Sequence, residues 1–352
     1  AGLYLRLILE HQLNVDQILV VTYTRAATQE LRDRLRKKLS DERKLILTEQ
    51  PGRTQDLKRL DLAIQSFDEA AIYTIHSFCQ QVLKDFAFES GSPFEMDLIG
   101  DDRELLLAVT DDFWRKNVVQ SDSEFSAYLL AKKQTPETLL QSIRPLVAKP
   151  YLQIQALPEV DTHAAKALAS QSFEHIKQLW QQHRDDYIAM LNNRKILSGK
   201  KYRADWVKSW VQMLEDLLTE TDLPSGVFEQ FDRFTMARLQ EALVDGQELP
   251  HAEFWQACQD FHQHFSDYQN QYALALQALR LELLGFIREQ LPQQKIQQQV
   301  QSYDDLLINL SQALQGPQGE WLVTRLREQF KAALIDEFQD TDPVQYDIFR
   351  RV

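Results

Sequence analysis

Three short apolar runs restrict this chain more than anything else in it. Ile18-Leu19-Val20-Val21, the stretch Ala70 to Ile75, and Ala332-Ala333-Leu334-Ile335 carry no regular alternation of polar and apolar side chains. A strand buried on both faces of a parallel sheet has that pattern, whereas a strand with one wet face alternates. Each run ends in polar residues and then enters helical periodicity. The endings are Thr22-Tyr23-Thr24, Thr74-Ile75-His76-Ser77, and Asp336-Glu337-Phe338-Gln339-Asp340-Thr341-Asp342. Open α/β sheets place their ligands beyond the carboxyl ends of the strands, so these polar segments are the site candidates. In the third, Asp342 reads as an N-cap, Pro343 as the first helical residue and Gln345 as the partner in a capping box.

Helices account for most of the rest. Thr24 caps a stripe of Ala27, Leu31, Leu35 and Leu39. Phe78, Val82 and Phe86 mark another helix, which Ser77 and Gln80 would open as a capping box. Pro51-Gly52 predicts a turn, and Glu89 to Pro93 a break. From about residue 100, aromatic and leucine stripes at helical spacing continue for roughly two hundred residues without a convincing strand. Breaks are expected near Pro145 to Pro158, Ser198-Gly199, Pro224 to Gly226, Gly246 to Pro250, and Pro292. Ser302-Tyr303-Asp304-Asp305 opens one more helix before the acidic segment. The predicted fold class is α/β with a large all-α insertion, mostly helical overall. The expected division is residues 1–99, an insertion over 100–301, and a return to the first domain over 302–352.

Local chemistry leaves alternatives open. One carboxylate of Asp336-Glu337 could hold Mg²⁺ and the other orient a water, yet such a pair after a strand is more often a solvated turn. The hydroxyls of Thr22, Thr24 and Thr74 and the imidazole of His76 stand at helix starts, where backbone N–H groups contact phosphate; they could equally be caps and nothing more. A net charge of −13 counts against a simple polyanion binder. Even so, Arg25 to Lys44 holds eight basic residues against four acidic ones, and Arg194 to Lys208 six against Asp205 alone. The second cluster includes Lys200, Lys201 and Arg203, interleaved with Tyr202, Trp206 and Trp210, which suits nucleic acid or a solvated helix over buried Trp. Cys258, His262 and His264 have metal-like spacing but too few ligands, so accident is the better reading. Two cysteines make no disulfide framework, which favours a reducing compartment. No apolar run approaches a membrane span. The phosphate-cradling pattern G-x-x-x-x-G-K-[ST] is absent; Gly199-Lys200-Lys201 lacks its earlier Gly and its Ser/Thr.

Taken in order, the three segments resemble motifs of the superfamily 1 DNA helicases of the UvrD/Rep type. Ile18 to Ala27 resembles motif Ia, Thr74 to Cys79 the T-x-H-x-[FM] motif, and Asp336 to Asp342 motif II, the Walker B segment. Tyr303-Asp304-Asp305-Leu306-Leu307 is similar to the F-D-D-L-L element. Asp68 to Gln80, Ala87 to Gly91 and Asp342 to Arg351 are similar to the RecB-type branch of that family, the helicase–nuclease subunits; the helical block resembles it only loosely. An AddA-type relative is the near alternative, and a non-catalytic helical scaffold binding DNA or a partner the distant one.

The resemblance implies a RecA-like domain 1A interrupted by a helical subdomain 1B, with ATP and Mg²⁺ as cofactors. It implies Asp336 on the metal and Glu337 activating the hydrolytic water, with Gln339 coupling nucleotide state to DNA. Thr22, Thr24, Arg25, Thr74 and His76 would lie along single-stranded DNA, and Lys200, Lys201 and Arg203 would meet duplex DNA. RecC-like and RecD-like subunits would be partners, in the bacterial cytoplasm at the nucleoid, with no membrane association. A P-loop is expected before Ala1 and a second RecA-like half and nuclease after Val352. On that expectation, these 352 residues alone neither hydrolyse ATP nor unwind DNA.

Overall fold

A computed structural model describes residues 1–50, 52–90 and 96–352. Among these residues five strands occur: β1 (Ile18–Thr22), β2 (Ile72–Thr74), β3 (Asp97–Ile99), β4 (Val300–Ser302) and β5 (Ala332–Ile335). They form two parallel sheets, one in the order β2-β1-β5 and one pairing β3 with β4. All else of regular structure is helical, so the α/β class with a dominant helical part is observed.

β1 shows why its sequence does not alternate. Leu19 and Val21 face a layer that includes Phe78, Leu310 and Leu326, while Ile18 and Val20 face Leu35, Leu39, Leu60 and Phe67. Both faces are covered by helices, so both sets must be apolar. β5 departs from the same expectation. Its residues are half-buried and Ala333 is exposed. It pairs with β1 on one side, and among the described residues no strand lies along its other edge.

Other expectations are corrected in detail. The second run is strand only from Ile72 to Thr74, and the helix begins at Ile75. Its capping box joins Thr74 to Ser77, three residues before the Ser77–Gln80 box read from the sequence. The earlier start buries Ile75 against Leu19 and Val21. Strand β4 and an antiparallel bridge between Leu197 and Leu243 fall in the block expected to be wholly helical. Segments of three residues are too short for alternation to be read. The break expected near Pro145 to Pro158 is present, since one helix ends at Val147 and the next begins at Thr162, but Pro292 does not end a helix and lies inside Ala252–Gln297. Leu284, Ile287 and Leu291 continue the buried stripe of the longer helix up to Pro292, and that packing holds it together across the lost hydrogen bond. Gly52 of the predicted Pro51-Gly52 turn lies in a turn, whereas Glu89 and Ser90 of the predicted Glu89 to Pro93 break belong to the helix Ala87–Ser90; Pro51 and Gly91 to Pro93 lie outside the described residues. The caps at Thr24, Ser302 and Asp342 are as expected.

The chain divides into two compact units. One comprises residues 1–117, 136–153 and 284–352 and contains both sheets. The other comprises residues 118–135 and 154–283 and is helical apart from the Leu197–Leu243 bridge. Its core is aromatic: Tyr187 stacks on Phe254 at 4.1 Å between centroids, and Phe173, Phe231, Trp255 and Phe261 are fully buried nearby.

Candidate functional site at the strand ends

Parallel pairing fixes what the three polar segments share. Thr22 is opposite Thr74, and Val21 is opposite both Tyr73 and Ile335. The chain therefore leaves β1, β2 and β5 at one edge of the sheet and in nearly the same layer. The Asp336 N–H makes the last ladder bond, to the Val21 carbonyl at 2.9 Å.

On the acidic segment, Asp336, Glu337 and Gln339 are all exposed. Glu337 stands at φ 52°, ψ 42°, in the left-handed region that a residue with a Cβ rarely adopts. The Gln339 amide donates to the Glu337 carboxylate. The Asp342 carboxylate caps the next helix by accepting from the N–H groups of Val344 at 2.7 Å and Gln345 at 2.9 Å. The Tyr23 hydroxyl lies 3.1 Å from Thr341 Oγ1 and 3.3 Å from Gln345 Oε1, which ties the first motif to the third and to the helix that follows it.

The first two segments differ in what they leave free. Thr22 is buried, with its hydroxyl 2.6 Å from Thr28 Oγ1 and 3.2 Å from the Thr24 carbonyl. Its chemistry is spent on holding the turn, and it offers nothing to a ligand. Thr24 and Arg25 are exposed beside it, at the start of the helix Arg25–Glu49. A cleft of about 230 Å³ runs past Tyr23, Arg25, Thr74, His76, Ser77 and Tyr303. There the His76 ring meets the Tyr303 ring edge-on, at 5.4 Å and 82°. Tyr303 was read from the sequence as part of a helix start and of the F-D-D-L-L-like element, not as a site residue. Its exposure, 38%, beside the histidine makes it part of the site.

Burial pushes the pKa of His76 down, against the opposing pull of the Asp304 and Asp342 carboxylates. The folded state thus prefers neutral imidazole. Its contribution to stability is present above the ordinary imidazole value and is lost as pH falls below it towards the depressed folded value. His76→Asn is expected to flatten the acid side of the melting-temperature profile below about pH 6.5; an unchanged profile would show that His76 does not contribute.

The basic cluster of the second unit is divided in use. Arg194 donates to the Tyr202 carbonyl, and Lys201 Nζ to the Glu241 carbonyl at 2.6 Å. Those two cations hold their own loop. Arg203 lies over the Trp206 ring at 5.0 Å and beside Asp205 at 3.4 Å, while Lys200 is exposed. Cys258 is buried, His262 stacks on Phe231, and His264 Nδ1 lies 3.0 Å from Ser172 Oγ, so the three have separate surroundings. No group of three or more metal-ligating side chains is found among the described residues. No helix described is long and apolar enough to cross a membrane.

Comparison with known proteins adds a family to this geometry. Residues 1–352 match the UvrD/REP helicase N-terminal domain. RecBCD enzyme subunit RecB of Escherichia coli strain K12 is 31% identical over 376 residues, covering 100% of this chain and 31% of that protein. The Haemophilus influenzae subunit of the same name is 29% identical over 420 residues, covering 100% and 33%. The Mycolicibacterium smegmatis subunit is 31% identical over 188 residues, covering 48% and 16%. The chain thus spans about a third, 31% and 33%, of the first two of these relatives.

Proposed function

Because the chain belongs to the UvrD/REP helicase family, we propose that it forms part of a RecB-type subunit. That subunit would be an ATP-dependent DNA helicase moving on single-stranded DNA in double-strand-break repair. The observation that carries this reading is the register of the sheet, which delivers Thr24, Thr74 with His76, and Asp336 with Glu337 to one edge. A nucleotide-hydrolysing group and a strand-contacting group on one rigid edge can pass a change in one to the other. The domains follow the family reading: 1A over residues 1–99 and 302–352, and 1B over residues 100–301.

The donor set fits Mg²⁺ carried by ATP. Mg²⁺ takes one or two carboxylates and completes its shell with water and phosphate oxygens, so two exposed carboxylates suffice. Asp336 would hold the metal, which neutralises phosphate charge when bound. Glu337 would accept a proton from the attacking water, and Gln339, hydrogen-bonded to it, would fix its rotamer and report its state to the strand side.

Single-stranded DNA would follow the cleft. Arg25 and the free N–H groups after Thr24 suit phosphate, and Thr74, His76 and Tyr303 suit sugar and base. Thr22 would act only through the turn it holds. In the second unit Lys200 and Arg203 would meet duplex phosphates, with Lys201 holding the loop. RecC-like and RecD-like partners are proposed from the RecBCD relatives.

The test is ATP turnover of the full-length protein with and without single-stranded DNA. Stimulation by DNA, reduced in Arg25→Ala and His76→Ala, supports the reading; a wild-type protein indifferent to DNA rejects it. Lys200→Glu with Arg203→Glu is expected to weaken duplex binding and lower the salt slope by about two, one per phosphate contact. An unchanged slope would remove these residues from the duplex surface.

A further inference from the structure

A buried lysine is bonded to the helix start that carries Tyr303. Lys295, near the end of the helix Ala252–Gln297, is 3% exposed. Its ammonium lies 2.8 Å from Asp102 Oδ2, 2.7 Å from Asp305 Oδ2 and 3.1 Å from Ser302 Oγ. All three N–H donors of the ammonium thus have an acceptor. Ser302 and Asp305 are also the two halves of the capping box that opens the helix Tyr303–Gln315. Between them in sequence stand Tyr303, edge-on to His76, and Asp304, whose charge also acts on His76.

We propose that Lys295 is a positioning residue for the single-strand cleft. By fixing both members of the Ser302–Asp305 cap, it sets the place of the Tyr303 ring against His76. The inference rests on the reading of that cleft as a DNA site, and it assigns Lys295 no contact with DNA. The physical ground is the narrowness of the arrangement. A capping box alone fixes the start of a helix, but one side-chain oxygen in each half leaves rotational freedom. A buried ammonium shared between both halves and Asp102 removes it. Without the ammonium, the half-buried carboxylates of Asp102 and Asp305 would be left close together and unneutralised, and the cap would have to open towards water. Sequence reading had no access to this, because Asp102 and Lys295 are 193 residues apart.

A double-mutant cycle in the full-length protein tests it, read as affinity for an oligo(dT) strand. Tyr303→Ala in the wild-type background is expected to weaken binding about tenfold, the loss of one stacked base. In a Lys295→Met background, where the ring is no longer held, the same change is expected to weaken binding less than about twofold. Lys295→Met/Asp102→Asn removes one of the stranded carboxylates and serves as the second background should Lys295→Met not fold. A merely structural role for Lys295 lowers the melting temperature and leaves the two effects additive. Additive losses in a folded background would therefore overturn the proposal. If Tyr303→Ala has no effect even in the wild type, the DNA reading of the cleft fails first, and the proposal with it. If Tyr303→Ala has its tenfold effect in every background, only the role of Lys295 fails.

Discussion

Glu337→Gln in the full-length protein is expected to cut ATP turnover about a thousandfold while leaving nucleotide and DNA affinity within a few-fold. The size is that of removing a positioned general base. The substitution is nearly isosteric, and the new amide oxygen can still accept from Gln339, so the loop keeps its hydrogen bond. What disappears is the capacity to take a proton. The backbone offers a second arm to the experiment. Glu337 is held in the left-handed region, at a cost of roughly 1–2 kcal/mol for a residue with a Cβ. Glu337→Gly should therefore raise stability by up to about 1 kcal/mol and abolish turnover to the same extent. Strain kept at a position where glycine would fit better suggests a side chain required for function. Turnover that survives both substitutions would mean the water is activated elsewhere.

Gly319→Ala is expected to destabilise the first unit by about 3 kcal/mol, seen as a lower denaturation midpoint with an unchanged slope. Gly319 opens the helix Gly319–Gln329 and is itself buried. A Cβ there would stand 2.4 Å from the Leu314 carbonyl oxygen and 2.7 Å from its carbon. Both are backbone atoms, so no rotamer change relieves the clash. The Gly319 N–H also closes the turn by donating to the Gly316 carbonyl at 2.9 Å. Moving either helix separates Leu310 and Leu314 from Leu322 and Leu326, which share one core with β1. Gly285 is the internal control. It lies exposed in a helix interior with nothing within 4 Å of a new Cβ, so Gly285→Ala should stabilise by up to about 1 kcal/mol. Equal effects at the two glycines would show that the close approach at Gly319 is absent in solution.

Much of the site could be read before the fold was known. The unalternating run at β1, the Thr24 and Asp342 caps, and the acidic pair on a strand-to-helix turn are local features. Neighbouring residues fix them through sterics and short hydrogen bonds. The order of the three polar segments was legible for the same reason, and it pointed to the family that the whole chain matches. Locally ambiguous signals fared worse. Thr74 and Ser77 are both plausible caps, and the choice went to the one that buries Ile75 in the core. Pro292 is a breaker by propensity, but the apolar stripe leading up to it is held by tertiary packing.

By itself, then, the sequence determined where strands end in polar residues, which residues cap the following helices, and which family the chain belongs to. Only the tertiary structure decided which of those residues are free to act. It buried the Thr22 hydroxyl against Thr28 and tied Arg194 and Lys201 to carbonyls of their own unit. It also set Tyr303 against His76 and placed Lys295 between Asp102 and Asp305. A cap is a contact between residues three apart, so its pattern is written in the chain. The partner of a buried charge is chosen by which distant segments the core brings together, and no local pattern encodes that choice.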